Sequence, residues 1–76
     1  MNIEIIGRGG CYYCQVACET AENHGYTYYD YTTYPHYEEL KFTHQIKTFP
    51  IVLVDKEYIG GYEELVELLH GTSERT

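Results

Sequence analysis

Cys11 and Cys14 stand two residues apart, with Tyr12 and Tyr13 between them. Two thiols at this spacing, at the mouth of a helix, suit thiol–disulfide exchange. A thiolate at a helix N-terminus faces unpaired N–H groups and the positive end of the macrodipole, so its pKa falls. A second thiol one turn further on can attack the mixed disulfide that the first one forms. Two other uses of the pair compete. Structural zinc wants four ligands, usually with a second paired set, and here the remaining candidates are Cys18 and four histidines (His24, His36, His44, His70) that are not paired at ligand spacing. A structural staple would close so short a loop that it would stabilise little. Redox chemistry leads.

The elements around the pair are those such a site needs. The apolar run Ile3, Ile5, Ile6 reads as a buried central strand over residues 2–6. Gly7-Arg8-Gly9-Gly10 turns the chain into a helix that runs from Cys11 to about His24, with Gly25 beyond its end. Within it Cys14, Ala17, Cys18 and Ala21 form a narrow stripe of small residues that lets the helix lie close to the sheet. Residues 26–31 are aromatic and β-prone, and a turn through Pro35 leads to a second helix at about 36–46, with Tyr37, Leu40 and either Thr43 or His44 facing inward. Ile51–Val54 is a strongly apolar strand, Asp55-Lys56 a two-residue turn and Glu57–Ile59 the returning strand. Gly60-Gly61 opens a last helix, 62–70, whose apolar face is Tyr62, Leu65, Val66, Leu68 and Leu69. The tail 71–76 is polar and expected to fray.

The order is β-α-β-α-β-β-α, an α/β fold with a four-stranded mixed sheet flanked by three helices. Strands one and two are parallel through a right-handed crossover, and three and four are an antiparallel hairpin. The 76 residues leave room for one core, so residues 1–76 read as a single domain. Twelve Asp and Glu against five Lys and Arg argue against a nucleic-acid partner, since no basic stripe can neutralise phosphates. The first residues lack a basic n-region, and the apolar run is too short for a signal sequence or membrane span. Three cysteines are an odd count, unlike a secreted disulfide framework, and favour a reducing, cytoplasmic setting. The ten tyrosines read mainly as cover for sheet and helix surfaces.

Three motifs in order resemble a family. Cys11-Tyr12-Tyr13-Cys14 resembles the C-P-Y-C active site of the glutaredoxins, Thr48-Phe49-Pro50 their T-V-P segment, and Gly60-Gly61-Tyr62-Glu63-Glu64-Leu65 their G-G-x-x-D-L segment. The resemblance covers essentially the whole chain and implies the thioredoxin-like (glutaredoxin) fold. It implies that Cys11 is the nucleophile and Cys14 the more buried resolving thiol. It also implies a cis peptide bond before Pro50, so that backbone groups of Thr48 and Phe49 face the sulfur. Glutathione is the implied reductant, with no metal expected. Arg8 stands where the family usually has lysine and would attract the glycine-end carboxylate. Tyr13 would line the groove, the helix start at Gly61, Tyr62 and Glu63 would receive the γ-glutamyl carboxylate, and Glu64 would hold the γ-glutamyl ammonium. Glu64 is one carbon longer than the family aspartate, and it also suits the first turn of a helix in its own right.

Two departures bear on function. Tyr12 replaces the motif proline and should alter the reduction potential and partner selection. Cys18 lies outside the motif and reads as a buried small hydrophobe. The expectation is a monomeric, glutathione-dependent dithiol oxidoreductase acting on disulfide-containing proteins, with ribonucleotide reductase a candidate substrate. The alternatives are a glutaredoxin-like protein reduced by thioredoxin reductase, and an iron–sulfur cluster carrier using Cys11 with glutathione.

Overall fold

A computed structural model describes residues 1–70, so the expected fraying of 71–76 lies outside the described residues. The strands are β1 (Ile3–Gly7), β2 (Thr27–Asp30), β3 (Ile51–Val54) and β4 (Glu57–Gly60), and the helices α1 (Tyr12–Ala21), α2 (Tyr37–His44) and α3 (Tyr62–His70). The sheet order is β2-β1-β3-β4. β1 pairs in parallel with β2 and antiparallel with β3, and β3 and β4 form the antiparallel hairpin. Asp55 and Lys56 both have positive φ, as a tight two-residue hairpin turn of the primed kind requires.

Period-two alternation along β1 divides the core into two layers. Ile3 and Ile5 point to the face covered by α1 and α3, where they pack with Ala17, Ala21, Val52 and Leu65. Ile6 points to the opposite face with Ile46, Ile51 and Leu53, beneath Tyr29, Tyr34, Tyr37, Leu40, Phe49 and Tyr58. The small residues of α1 are what bring that helix down onto β1: Cys14, Ala17 and Ala21 are all buried.

The first two helices end somewhat earlier than their periodicity suggests, while α3 spans the expected residues. α1 stops at Ala21 and passes through a 3-10 turn, Glu22–His24, before Gly25 at φ 78°. α2 stops at His44 because Gln45 turns left-handed, donating its N–H to the Phe42 carbonyl at 3.3 Å, while the Ile46 N–H reaches Lys41 at 3.0 Å. This Schellman closure swings Ile46 into the core. Tyr37 and Leu40 pack inward as expected, whereas Thr43 and His44 are both exposed. In α3 the inward row is Tyr62, Leu65 and Leu69; Leu68 sits about a quarter-turn from Leu69 and faces outward, 42% exposed.

Glu4 was not singled out in the sequence, yet it is buried to 3% exposure on the α2 side of the sheet. One carboxylate oxygen accepts from Lys56 Nζ at 3.0 Å and, more weakly, from the Tyr29 hydroxyl at 3.4 Å. The other oxygen has no hydrogen-bond partner. Hydrogen bonding to Glu4, and then its charge, raises the Lys56 pKa above its ordinary value. Because the folded-state pKa is raised, the stabilisation is full at neutral pH and is lost as pH climbs through the raised lysine range. Removing the cation leaves a buried carboxylate with weak compensation, whereas removing the carboxylate frees an exposed lysine to hydrate. Thermal melts should therefore place Lys56→Met below the wild type and Glu4→Leu at or above it. The reverse order would show that the pair is not what compensates Glu4.

Candidate active site

The last turn of β1 and the loop that follows carry the chain to Cys11, which is the N-cap of α1. Its backbone is extended, φ −96° and ψ 112°, and its sulfur accepts the Cys14 N–H at 3.2 Å. Sulfur therefore fills the place that a serine or aspartate oxygen takes in an ordinary N-cap. Cys11 and Cys14 are joined as a disulfide. Cys14 is 3% exposed and Cys11 is half-buried, so an incoming reactant meets Cys11 first. Once the bond is reduced, the same N–H and helix end would favour charge on Cys11.

Gly7 makes the descent of α1 possible. A Cβ there would stand 2.9 Å from Cys14 Sγ and 3.0 Å from Cys14 Cβ, closer than packed carbon and sulfur allow. Cys18 lies on the next turn of the same face, half-buried and packed against the core, so it is less enclosed than its place in the stripe suggests. Burial is the main cause that pushes its thiol above the ordinary range.

Open ground flanks Cys11 on two sides. On one side a groove of about 680 Å³ runs from Thr48, Phe49 and Pro50 to Gly61, Tyr62, Glu63 and Glu64. Tyr13 forms its wall, its ring 5.6 Å from that of Tyr62. The Phe49–Pro50 bond is cis, the isomer implied by the motif resemblance. A smaller recess joins Cys11 to Arg8, Lys47, Thr48 and Phe49. All the residues expected around a bound tripeptide thus line one continuous face, and Lys47 joins them. Lys47 carries no motif; its position immediately before Thr48 was the available signal. On the other side of Cys11 a second groove, of about 690 Å³, is bordered by Tyr12, Gln15, Cys18, Tyr26 and Tyr28. Adjacent in sequence, Tyr12 and Tyr13 therefore border different grooves.

Two candidate ligand groups already have partners. The Arg8 guanidinium lies 5.8 Å over the Phe49 ring, which is itself stacked on Tyr37 and tilted against Tyr31. This cation–π contact holds the charge beside the Cys11 recess. Glu64 reaches back to accept the Gly61 N–H at 2.8 Å, the return half of a capping box for α3. Tyr62, Glu63 and Glu64, the first turn of α3, line the far end of the groove, and backbone N–H groups of a helix's first turn have no intrahelical partner.

No protein-family model and no curated protein sequence matches the chain. Its fold matches solved structures. Reduced Escherichia coli glutaredoxin superposes with a TM-score of 0.74 at 28% identity, over 97% of this chain and 99% of that one. A buckwheat glutaredoxin–glutathione complex matches with a TM-score of 0.72 at 16% identity, over 96% of this chain and 73% of that one. The glutaredoxin-like NrdH-redoxin of Escherichia coli, described as having a thioredoxin-like activity profile, matches with a TM-score of 0.68 at 20% identity, over 84% of this chain and 87% of that one. A Cys-x-x-Cys pair at the mouth of the first helix, on a fold shared end to end with a glutaredoxin, leads to one assignment: the chain has the glutaredoxin-type thioredoxin fold and is a thiol–disulfide oxidoreductase.

Proposed function

We propose that this dithiol oxidoreductase is reduced by glutathione and acts on disulfide-containing proteins, with ribonucleotide reductase a candidate substrate. The observation that carries this reading is the single face running from Arg8 and Lys47, past Cys11, to the start of α3. In the first step the Cys11 thiolate attacks a substrate disulfide and one substrate thiolate leaves. Cys14 then attacks Cys11 Sγ, releasing the second substrate thiolate and leaving the Cys11–Cys14 disulfide. Glutathione thiolate opens that disulfide at Cys11, and a second glutathione restores the dithiol. Arg8 and Lys47 attract the glycine-end carboxylate, Tyr13 and Tyr62 bound the peptide, and backbone groups of Thr48 and Phe49 pair with it beside Pro50. The N–H groups at Gly61, Tyr62 and Glu63 face the γ-glutamyl carboxylate, and Glu64 its ammonium. The pair can cycle in this way in a reducing, cytoplasmic setting, and the protein acts as a monomer.

One observation favours a second reading. The Glu64 carboxylate that would hold the γ-glutamyl ammonium is engaged in capping α3, and the Gly61 N–H is thereby taken. Reduction by thioredoxin reductase needs neither group, and the likeness to NrdH-redoxin is consistent with it. Turnover of the purified protein with glutathione plus glutathione reductase, set against turnover with thioredoxin reductase, decides between the two. Under the glutathione reading Arg8→Ala raises the KM for glutathione by about two- to fivefold, the scale of an exposed ion pair, and leaves kcat near wild type. An unchanged KM would remove Arg8 from the site.

Substitution separates the two sulfurs. Cys11→Ser should abolish reduction of every disulfide, while Cys14→Ser keeps turnover of glutathionylated substrates and loses reduction of protein disulfides. Residual activity in Cys11→Ser would overturn the assignment of the nucleophile.

Alkylation of the reduced protein supplies the pH test. Iodoacetamide labelling of Cys11 should already be fast at neutral pH and change little above it. Labelling of Cys18, whose pKa burial raises, should be slow at neutral pH and climb into the alkaline range. Equal neutral rates at Cys11 and free cysteine would mean that the helix start does not favour the thiolate.

A further inference from the structure

The buried sulfur has a neighbour that the motif does not name. Tyr28 lies on β2 opposite Ile5 of β1, so its side chain rises on the α1 face of the sheet. A Cβ at Gly7 would stand 2.9 Å from Tyr28 Oη and 2.9 Å from Cys14 Sγ. The phenol oxygen and the sulfur thus border the same small space, the one a side chain at residue 7 would fill. The same two residues border the groove that reaches Cys11, Cys14 and Cys18.

We propose that Tyr28 is a positioning residue for the redox reaction: its O–H donates a hydrogen bond to the Cys14 thiolate. The inference rests on the reading of Cys14 as resolving thiol. When an incoming thiolate attacks Cys11 Sγ, a new S–S bond forms, the Cys11–Cys14 bond breaks, and Cys14 departs with the electron pair as thiolate. In the opposite direction the Cys14 thiolate supplies that pair to Cys11 Sγ and the substrate leaves as thiolate. Tyr28 transfers no proton in either direction; protonation of the free thiolate is left to solvent in the open groove. The hydrogen bond exists at full strength only while Cys14 carries charge, so it favours the step that makes or uses that charge.

The three atoms nearest that space are Tyr28 Oη and the Sγ and Cβ of Cys14, so Tyr28 is the donor among them. Of the titratable groups around the groove, Cys11 and Cys18 are thiols of α1, Tyr26 is engaged with Cys18, Arg8 stacks on Phe49, and Asp30 at the end of β2 is an acceptor. Burial and the Asp30 charge hold the Tyr28 phenol above its ordinary pKa, which keeps it a donor throughout the working pH range.

Tyr28→Phe removes the donor and keeps the ring. Reduction of a protein disulfide should slow by about three- to tenfold, the scale of one partly solvated hydrogen bond to a charged sulfur. In a Cys14→Ser background, where no Cys14 thiolate forms, Tyr28→Phe should leave turnover of a glutathionylated peptide unchanged. In a Cys11→Ser, Cys18→Ala background, the ultraviolet thiolate titration reports Cys14 alone, and Tyr28→Phe should move it upward by about half to one pH unit, the same fold-change read as a pKa. An unmoved titration, or equal slowing with and without Cys14, would overturn the inference, since a purely structural tyrosine would act on both backgrounds alike. If Cys14→Ser by itself retained full reduction of protein disulfides, the resolving role would fail first and this inference with it.

Discussion

The sulfur of Cys11 sits where a helix needs an acceptor. Its bond from the Cys14 N–H makes that sulfur the cap of α1, so the geometry that ends the helix is also the geometry that would hold a thiolate. The rest of the fold serves to keep that helix end fixed. β1 is an internal strand of the sheet, paired on both edges, and its last residue precedes the active-site loop by only a few bonds. Small side chains at Ala17 and Ala21, with Gly7 beneath Cys14, let α1 lie almost on the strand. A bulkier stripe would lift the helix and carry the sulfur away from the groove at Pro50.

The two faces of the sheet do different work. The α1–α3 face is the apolar one, built on Ile3, Ile5, Val52 and Leu65. The α2 face is aromatic and carries a buried carboxylate. Tyrosine suits that second face because its ring covers apolar surface while its hydroxyl can reach a polar partner or water. Tyr29 does both, packing over Ile6 and Ile51 and offering its hydroxyl to Glu4. The same aromatic layer reaches the active site through Tyr31, Tyr37 and Phe49, on which Arg8 rests. The cation beside Cys11 is therefore set by the packing of the far face, a link between core and site that no single motif contains.

Specificity follows from what lies to each side of Cys11. The groove at Pro50 offers cations at one end and a helix start at the other, with tyrosine walls between. Tyr12, in the position of the motif proline, borders the opposite groove and is 71% exposed. It adds exposed aromatic surface on that side of Cys11 and does not line the groove at Pro50. A chain with seven net negative charges keeps two of its few cations beside the reactive sulfur. That arrangement locally offsets the general repulsion an acidic protein exerts on any anionic reactant.

Element types and their order were legible in the sequence because each carries its own periodicity. β1 and β3 are apolar runs, the Asp55-Lys56 turn separates two β-prone segments, and α3 repeats its apolar residues at helical spacing. The reactive pair was legible for a similar reason, since two cysteines one turn apart state their chemistry by spacing alone. Helix ends were less so: Gln45 in a left-handed conformation ends α2 two residues early, and nothing local singles out that glutamine from others. Burial of Glu4 lay beyond the sequence because alternation along a strand buried on both faces gives no warning of a charge, and its partner is fifty-two residues away. The same is true of Lys47 beside Cys11, of Glu64 folding back onto Gly61, and of Tyr28 and Cys14 bordering the same space beside Gly7. Spacing along a chain determines what a residue can do, while pairing register and helix placement decide which distant group it does it with.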